Sequence, residues 1–187
     1  MAPASGNATE RFYQHVWPHR AGVLRMAKIL CGNDADAEDL AQETLLKAFA
    51  AIDSFEIGTN ARAWLMRILR NARIDRIRAS ARESGQVSLE ASEMDVADDS
   101  PEPAIEWERP ADLLNAFSDA QVIEALGQLP EEIRFTLLLV EVEGIEQQEA
   151  AAILEVPVGT IKSRGHRGRA MLREALLPMA KDLRLVK

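Results

Sequence analysis

LPEEIRFTLLLVEVEGIEQQEAAAILEVPVGTIKSRGHRGRAMLREAL, residues 129–176, decides the fold of the second half of this chain. Pro130 opens a helix, and Glu131 and Glu132 occupy its first turn, where carboxylates meet the positive end of the helix dipole. Ile133, Leu137, Leu138 and Val140 supply the buried side, and Gly144 ends the helix. Residues 146–154 form the next helix, with Ala150, Ala151, Ile153 and Leu154 facing inward. Glu155, Val156 and Pro157 make a tight turn. The following helix starts near Val158 and runs past Arg169. Its residues Val158, Ile161, Gly165, Gly168 and Leu172 recur at three and four positions and face the core. Lys162, Ser163, His166 and Arg167 fall on the other side. Helix, tight turn and basic helix make a helix-turn-helix, a module that lays its last helix in the DNA major groove. Lys and Arg suit guanine edges there, and Ser and His suit bases or phosphate. Arg164, Arg169 and Arg173 suit phosphates, which set register without reading sequence.

Gly165 and Gly168 stand out inside this helix, because each costs about 1 kcal/mol relative to Ala. Either they permit close packing against the preceding helices, or they leave the helix soft until a partner orders it. On the second view Gly168→Ala raises thermal stability.

Upstream, residues 83–115 hold ten acids and one base, Arg109, with Ser and Pro but no sustained period. This composition predicts a flexible, self-repelling linker. Ser118 with Gln121 then makes a capping box that opens a helix to about Gln128. Residues 1–9 are expected to form a disordered tail, and a helical pattern follows to about Leu30, kinked at Pro18. The CGND turn at 31–34 precedes a helix over 36–50, capped by Asp34 or Asp36. Ala37, Leu40, Ala41, Thr44, Leu45 and Ala48 form its buried side. Glu38, Asp39, Gln42, Glu43 and Leu46 lie opposite, as a solvated face or a docking surface for a basic partner helix.

The loop over 51–60 carries Gly58 and two apolar residues expected to be exposed, Phe55 and Ile57. Asn60 or Thr59 caps a helix over 61–80 whose apolar set is Trp64, Leu65, Ile68, Leu69 and Ala72. Residues 62–82 hold seven Arg and one acid, Asp75. Arg67, Arg70 and Arg73 step by three along one side, a pattern that suits phosphate contact.

The formal net charge is −8, yet the distribution explains it: two basic islands flank the acidic segment. Such a chain binds DNA weakly by itself. Cys31 is the one cysteine and cannot close an internal disulfide; it reads as a buried filler. No charged start with an apolar stretch marks a secretion signal, and no apolar run reaches the ~20 residues of a membrane span, which points to the cytoplasm. Catalysis finds no support. His15, His19 and His166 lack metal-ligand spacing with Cys31, and there is no nucleophile elbow or phosphate-binding glycine loop. A one-component dimeric regulator is a second possibility, but it would leave the Arg-rich helix unexplained.

DAEDLAQETLLKAF (36–49), ARAWLMRILRNARIDRIR (61–78) and LPEEIR with VPVGTIKSR within 129–164 together resemble a bacterial extracytoplasmic-function sigma factor, one of the short specificity subunits of RNA polymerase. The resemblance covers roughly 10–82 and 116–177, most of the chain. It implies an all-α protein of two small helical domains, region two at 10–82 and region four at 116–177, joined by the acidic linker and followed by a tail at 178–187. It implies that Glu38, Asp39, Gln42, Glu43 and Leu46 grip the β′ coiled coil of core polymerase, and that region four meets the β flap. The loop at 54–60 would capture a flipped base of the −10 element, with Phe55, Ile57, Asn60 and Trp64 as candidates. Arg62, Arg67, Arg70, Asn71 and Arg73 would hold the melted strand. Thr160, Lys162, Ser163, Arg164, His166, Arg167 and Arg169 would contact the −35 duplex. The linker would thread toward the polymerase cleft. An anti-sigma factor is implied as inhibitor, and no cofactor, metal or catalytic residue. Two departures from the family pattern are Gly165 with Gly168 in the recognition helix and Glu155 where the turn often has Gly.

Overall fold

A computed structural model describes residues 5–83 and 119–182, and among these every regular element is helical. The chain divides into two compact units, residues 1–94 and 95–187. Residues 84–115 of the acidic linker and Ser118 of the capping box lie outside the described residues, while Glu83, expected to open the linker, is still helical.

In the first unit, α1 spans Ser5–Arg11, so the tail expected over 1–9 is helical from Ser5 onward. A π-helical turn over Phe12–Val16 and a 3-10 turn over Trp17–His19 follow, and α2 occupies Arg20–Cys31. Pro18 is the physical cause. It has no N–H to return to the Gln14 carbonyl and its ring crowds that oxygen, so the helix loosens before it and tightens after it. Gly32, at φ +74°, ends α2, with its N–H donating to the Lys28 carbonyl at 3.2 Å. Asn33 caps α3 (Asp34–Ala50), in place of the expected Asp34 or Asp36. Its side-chain oxygen accepts the Asp36 N–H at 2.9 Å, while its amide donates to the Asp36 carboxylate at 2.7 Å. The cap falls one residue early because Gly32 has already turned the chain.

Helices α2, α3 and α4 (Ala61–Glu83) pack together around Met26, Leu40, Leu65, Met66 and Leu69, all fully buried. Each such side chain contributes roughly 1.5–3 kcal/mol on leaving water. Thr44 is buried among them and satisfied locally, its hydroxyl donating to the Leu40 carbonyl at 2.7 Å. Leu45 is only half-buried, and so is Cys31.

In the second unit, α5 spans Asp119–Gly127 and α6 spans Glu131–Leu137, extended by a π-helical turn over Leu138–Val142. Helix α7 covers Gln147–Leu154 and α8 covers Val158–Asp182. The tail expected from 178 therefore begins as helix, which continues through Pro178. Helix α6 is buried on more sides than one: Ile133, Phe135, Leu137, Leu138 and Leu139 are all covered. Gly144, at φ +64°, turns the chain after it. The Glu143 and Ile145 N–H groups close back on the Leu138 and Leu139 carbonyls, both at 2.9 Å. Glu155 caps α7 at φ +57°, a left-handed conformation that favours glycine.

At Gly168 the structure favours the first of the two views, close packing. A methyl group there would lie 2.7 Å from Ile133 Cγ2 and 2.8 and 2.9 Å from Leu137 Cδ1 and Cγ. The glycine is present because α6 and α8 touch at that point, so Gly168→Ala is expected to lower stability. Gly165 differs, since a methyl there meets only Arg169 Nη1, at 3.4 Å.

Candidate nucleic-acid interface

The loop ahead of α4 is a chain of local turns. Ile52–Ser54 forms a 3-10 turn, and the Ser54 hydroxyl donates to the Ala51 carbonyl at 2.7 Å. The Thr59 hydroxyl donates to the Glu56 carbonyl at 2.7 Å, and Gly58 sits at φ +96°. Asn60, not Thr59, caps α4 by accepting the Ala63 N–H at 3.2 Å. The tip from Glu56 to Asn60 is exposed, Ile57 at 54%. Phe55, expected beside it as a base-capturing group, is only 3% exposed. Its ring packs 5.1 Å from Trp64 and 6.3 Å from His15. An apolar ring beside a polar tip gains more by entering the core than by facing water, so Phe55 anchors the loop. Trp64 is half-buried beneath it.

Along α4, Arg62, Arg67 and Asn71 are exposed and Arg70 and Arg73 are half-buried, so the expected basic side reaches the surface. Arg76, three residues on, has a different task. Its Nε donates to the Glu43 carboxylate at 2.7 Å and its Nη1 to the Asp36 carbonyl at 3.3 Å. Lys47 adds ion pairs to Glu43 at 2.9 Å and Asp75 at 3.1 Å. Together these pairs brace α3 against α4. Partial burial pushes the Glu43 carboxyl up, but hydrogen bonds and charge from Arg76 and Lys47 outweigh it and hold the group below the usual 4.5. The Glu43 hydrogen bond raises the Lys47 ammonium above 10.5 against burial, with help from Asp75.

Glu43 was expected on the docking face, and its carboxylate is turned instead toward the neighbouring helix. Glu38, Asp39, Gln42 and Leu46 remain exposed on α3, Leu46 at 63%. Arg76 carries no distinguishing mark within an arginine run. The spacing of Glu43 and Lys47, four apart on one helix, was the available signal.

On α8, Lys162 is exposed, and Ser163, Arg164, His166 and Arg167 are half-buried at the surface. Two of the residues expected at the duplex also have neighbours within the unit. Thr160 is 7% exposed, because it falls in the first turn beside buried Ile161; the Ser163 hydroxyl donates to its carbonyl at 3.1 Å. Arg169 pairs with Glu141 at 3.1 Å across a cleft of about 160 Å³ bordered by Gln147, Lys162 and Gly165. Among the described residues no cluster of three metal-ligating side chains occurs, and no helix is long and apolar enough to cross a membrane.

Residues 16–83 match the family model of Sigma-70 region 2, and residues 119–172 match that of Sigma-70, region 4. The chain is 36% identical over 162 residues to the ECF RNA polymerase sigma factor SigW of Bacillus subtilis, covering 82% of each. It is 39% identical over 147 residues to the ECF RNA polymerase sigma factor EcfG of Rhodopseudomonas palustris, 79% of this chain and 75% of that one. Against the ECF RNA polymerase sigma factor SigE of Mycolicibacterium smegmatis, 36% identical over 161 residues, the match covers 84% of this chain but 58% of that protein. Among solved structures, the sigma factor RpoE of Bartonella quintana, in complex with the anti-sigma factor NepR, aligns with a TM-score of 0.68 at 33% identity, over 88% of this chain and 96% of that one. CnrH, in complex with the cytosolic domain of CnrY, aligns at 0.59 and 27% identity, over 92% and 95%. With a region 2 and a region 4 in order on the helices described above, the chain belongs to the extracytoplasmic-function (ECF) sigma factors of the sigma-70 family.

Proposed function

We propose that this sigma factor mounts on core RNA polymerase and directs it to promoters that carry matching −10 and −35 elements. Glu38, Asp39, Gln42 and Leu46 on α3 form the docking face for the β′ coiled coil, and region four engages the β flap. The loop tip with Ile57 and Asn60 captures an extruded −10 base, and Arg62, Arg67, Arg70, Asn71 and Arg73 hold the melted strand through its phosphates. Lys162, Ser163, Arg164, His166 and Arg167 read or hold the −35 duplex. Phosphodiester chemistry stays with the polymerase, and the sigma factor supplies specificity alone. An anti-sigma factor restrains it, a reading supported by the solved relative RpoE, which is in complex with the anti-sigma factor NepR.

The observation that carries the reading is the separation of exposed charge in the first unit, acids with Leu46 on α3 and arginines on α4. A surface of each sign on one rigid body lets one side meet protein while the other meets nucleic acid. Run-off transcription with reconstituted holoenzyme on a promoter library tests it. The full chain is expected to confer defined start sites, and Leu46→Glu to lose core binding and start-site selection together. Core enzyme that stays as non-selective as before would overturn the reading.

A further inference from the structure

The N-terminal arm reaches the base of the capture loop. Arg11, the last residue of α1, donates from Nη2 to the Phe55 carbonyl oxygen at 2.7 Å, across 44 residues of sequence. Among the described residues this is the one hydrogen bond the Arg11 side chain makes, and its Nε is buried without a partner. The guanidinium is therefore located by that carbonyl and by packing, and among the described residues it forms no ion pair. His15, one turn further along the π-helical segment, rests on the Phe55 ring at 6.3 Å. Phe12 locks the same segment to α3 through Phe49, at 5.2 Å. Phe55 is where the chain leaves its 3-10 turn in extended conformation, at φ −76° and ψ +122°, and enters the exposed tip. The arm thus holds both the ring and the backbone of the last anchored residue before the tip. The match to region 2 begins at residue 16, so Arg11 stands ahead of it.

We propose that Arg11 is a positioning residue for recognition of the −10 element: it touches no base, and fixes the Phe55 carbonyl so that the tip at 56–60 keeps one shape. The proposal rests on the reading of this loop as the base-capturing element. A pocket discriminates bases only when its donors and acceptors are held within about 0.5 Å. Arg11→Met keeps the apolar stem and removes the donor; Arg11→Lys keeps a donor that can still reach a carbonyl.

The test uses reconstituted holoenzyme with the full chain and fork-junction promoter probes bearing each of the four bases at the captured position. Binding is followed by 2-aminopurine fluorescence beside that position. Loss of one charge-assisted hydrogen bond is expected to reduce the ratio between best and worst base roughly tenfold in Arg11→Met. Core affinity and the effect of deleting the −35 element should stay as in wild type, and Arg11→Lys should retain most of the ratio. An unchanged ratio in Arg11→Met overturns the proposal, and so does an equal loss on all four bases, which marks a merely structural role. Should Arg11→Met not fold, Arg11→Lys and Arg11→Gln decide: a graded loss of the ratio supports the proposal, and wild-type ratios in both overturn it. A wild type with no base preference at that position overturns the loop reading together with the proposal, whereas preference retained in Arg11→Met overturns the proposal alone.

Discussion

Replacing Gly168 by Ala is expected to destabilise the second unit, although Ala is the better helix former. The intrinsic gain is about 1 kcal/mol. Against it stands a methyl group with three carbons closer than 3.0 Å, on Ile133 and Leu137. Ile133 Cγ2 belongs to a β-branched side chain with one favoured rotamer in a helix, and Leu137 Cγ is a branch point close to the backbone; neither can swing clear. Overpacking of this kind costs ~1–3 kcal/mol, and two stiff neighbours put it at the upper end. The net loss is about 1–2 kcal/mol, which for a unit of this size lowers the melting temperature by ~5–10 °C. Gly165→Ala is the control. Its methyl enters a cleft of about 160 Å³ and meets only the far end of Arg169. That substitution is expected to stabilise by about 1 kcal/mol, raising the melting temperature by ~4–8 °C. Scanning calorimetry of the full chain reads both, with the transition of the first unit as internal reference. A rise for Gly168→Ala, or equal shifts for the two variants, would refute the close-packing argument.

Two further outcomes follow from the same geometry. Glu155→Gly should relieve the left-handed backbone at φ +57° and stabilise by about 1 kcal/mol, measured as a higher urea midpoint with unchanged slope; a lower midpoint would show that the Glu155 side chain contributes more than its backbone costs. Glu43→Gln should weaken the first unit by about 1 kcal/mol or less at neutral pH. Because Glu43 titrates below 4.5 when folded, its contribution is present above that value and is lost as pH falls through the folded value. The stability gap between wild type and Glu43→Gln should therefore close in acid below 4.5, and a gap independent of pH would exclude the ion pairs as its cause.

Much of this molecule is legible along the chain because helical period is a local property. The recurrence of Ile161, Gly165 and Gly168 already puts them on the inner side of the recognition helix, and Pro18 already announces a break. What escapes is pairing between helices. The periodicity places Glu43 and Leu46 alike on the outer side of α3, yet a cation on α4 draws one carboxylate aside and leaves the leucine in water. Arg169 and Glu141 find each other the same way, 28 residues apart. The isolated Arg11 gives no sign at all, since its acceptor is a main-chain oxygen, which every residue possesses. Phe55 misleads for a third reason: a loop position says nothing of which way a ring turns, and the ring goes where it loses most water.

The cross-braces from Arg76 and Lys47 to Glu43, Asp75 and the Asp36 main chain tie two helices into one beam. On the proposed reading, seating one flank of that beam on core polymerase would fix the azimuth of the other flank. Strand separation would then follow from the landing itself, as a lever turns what lies at its far end.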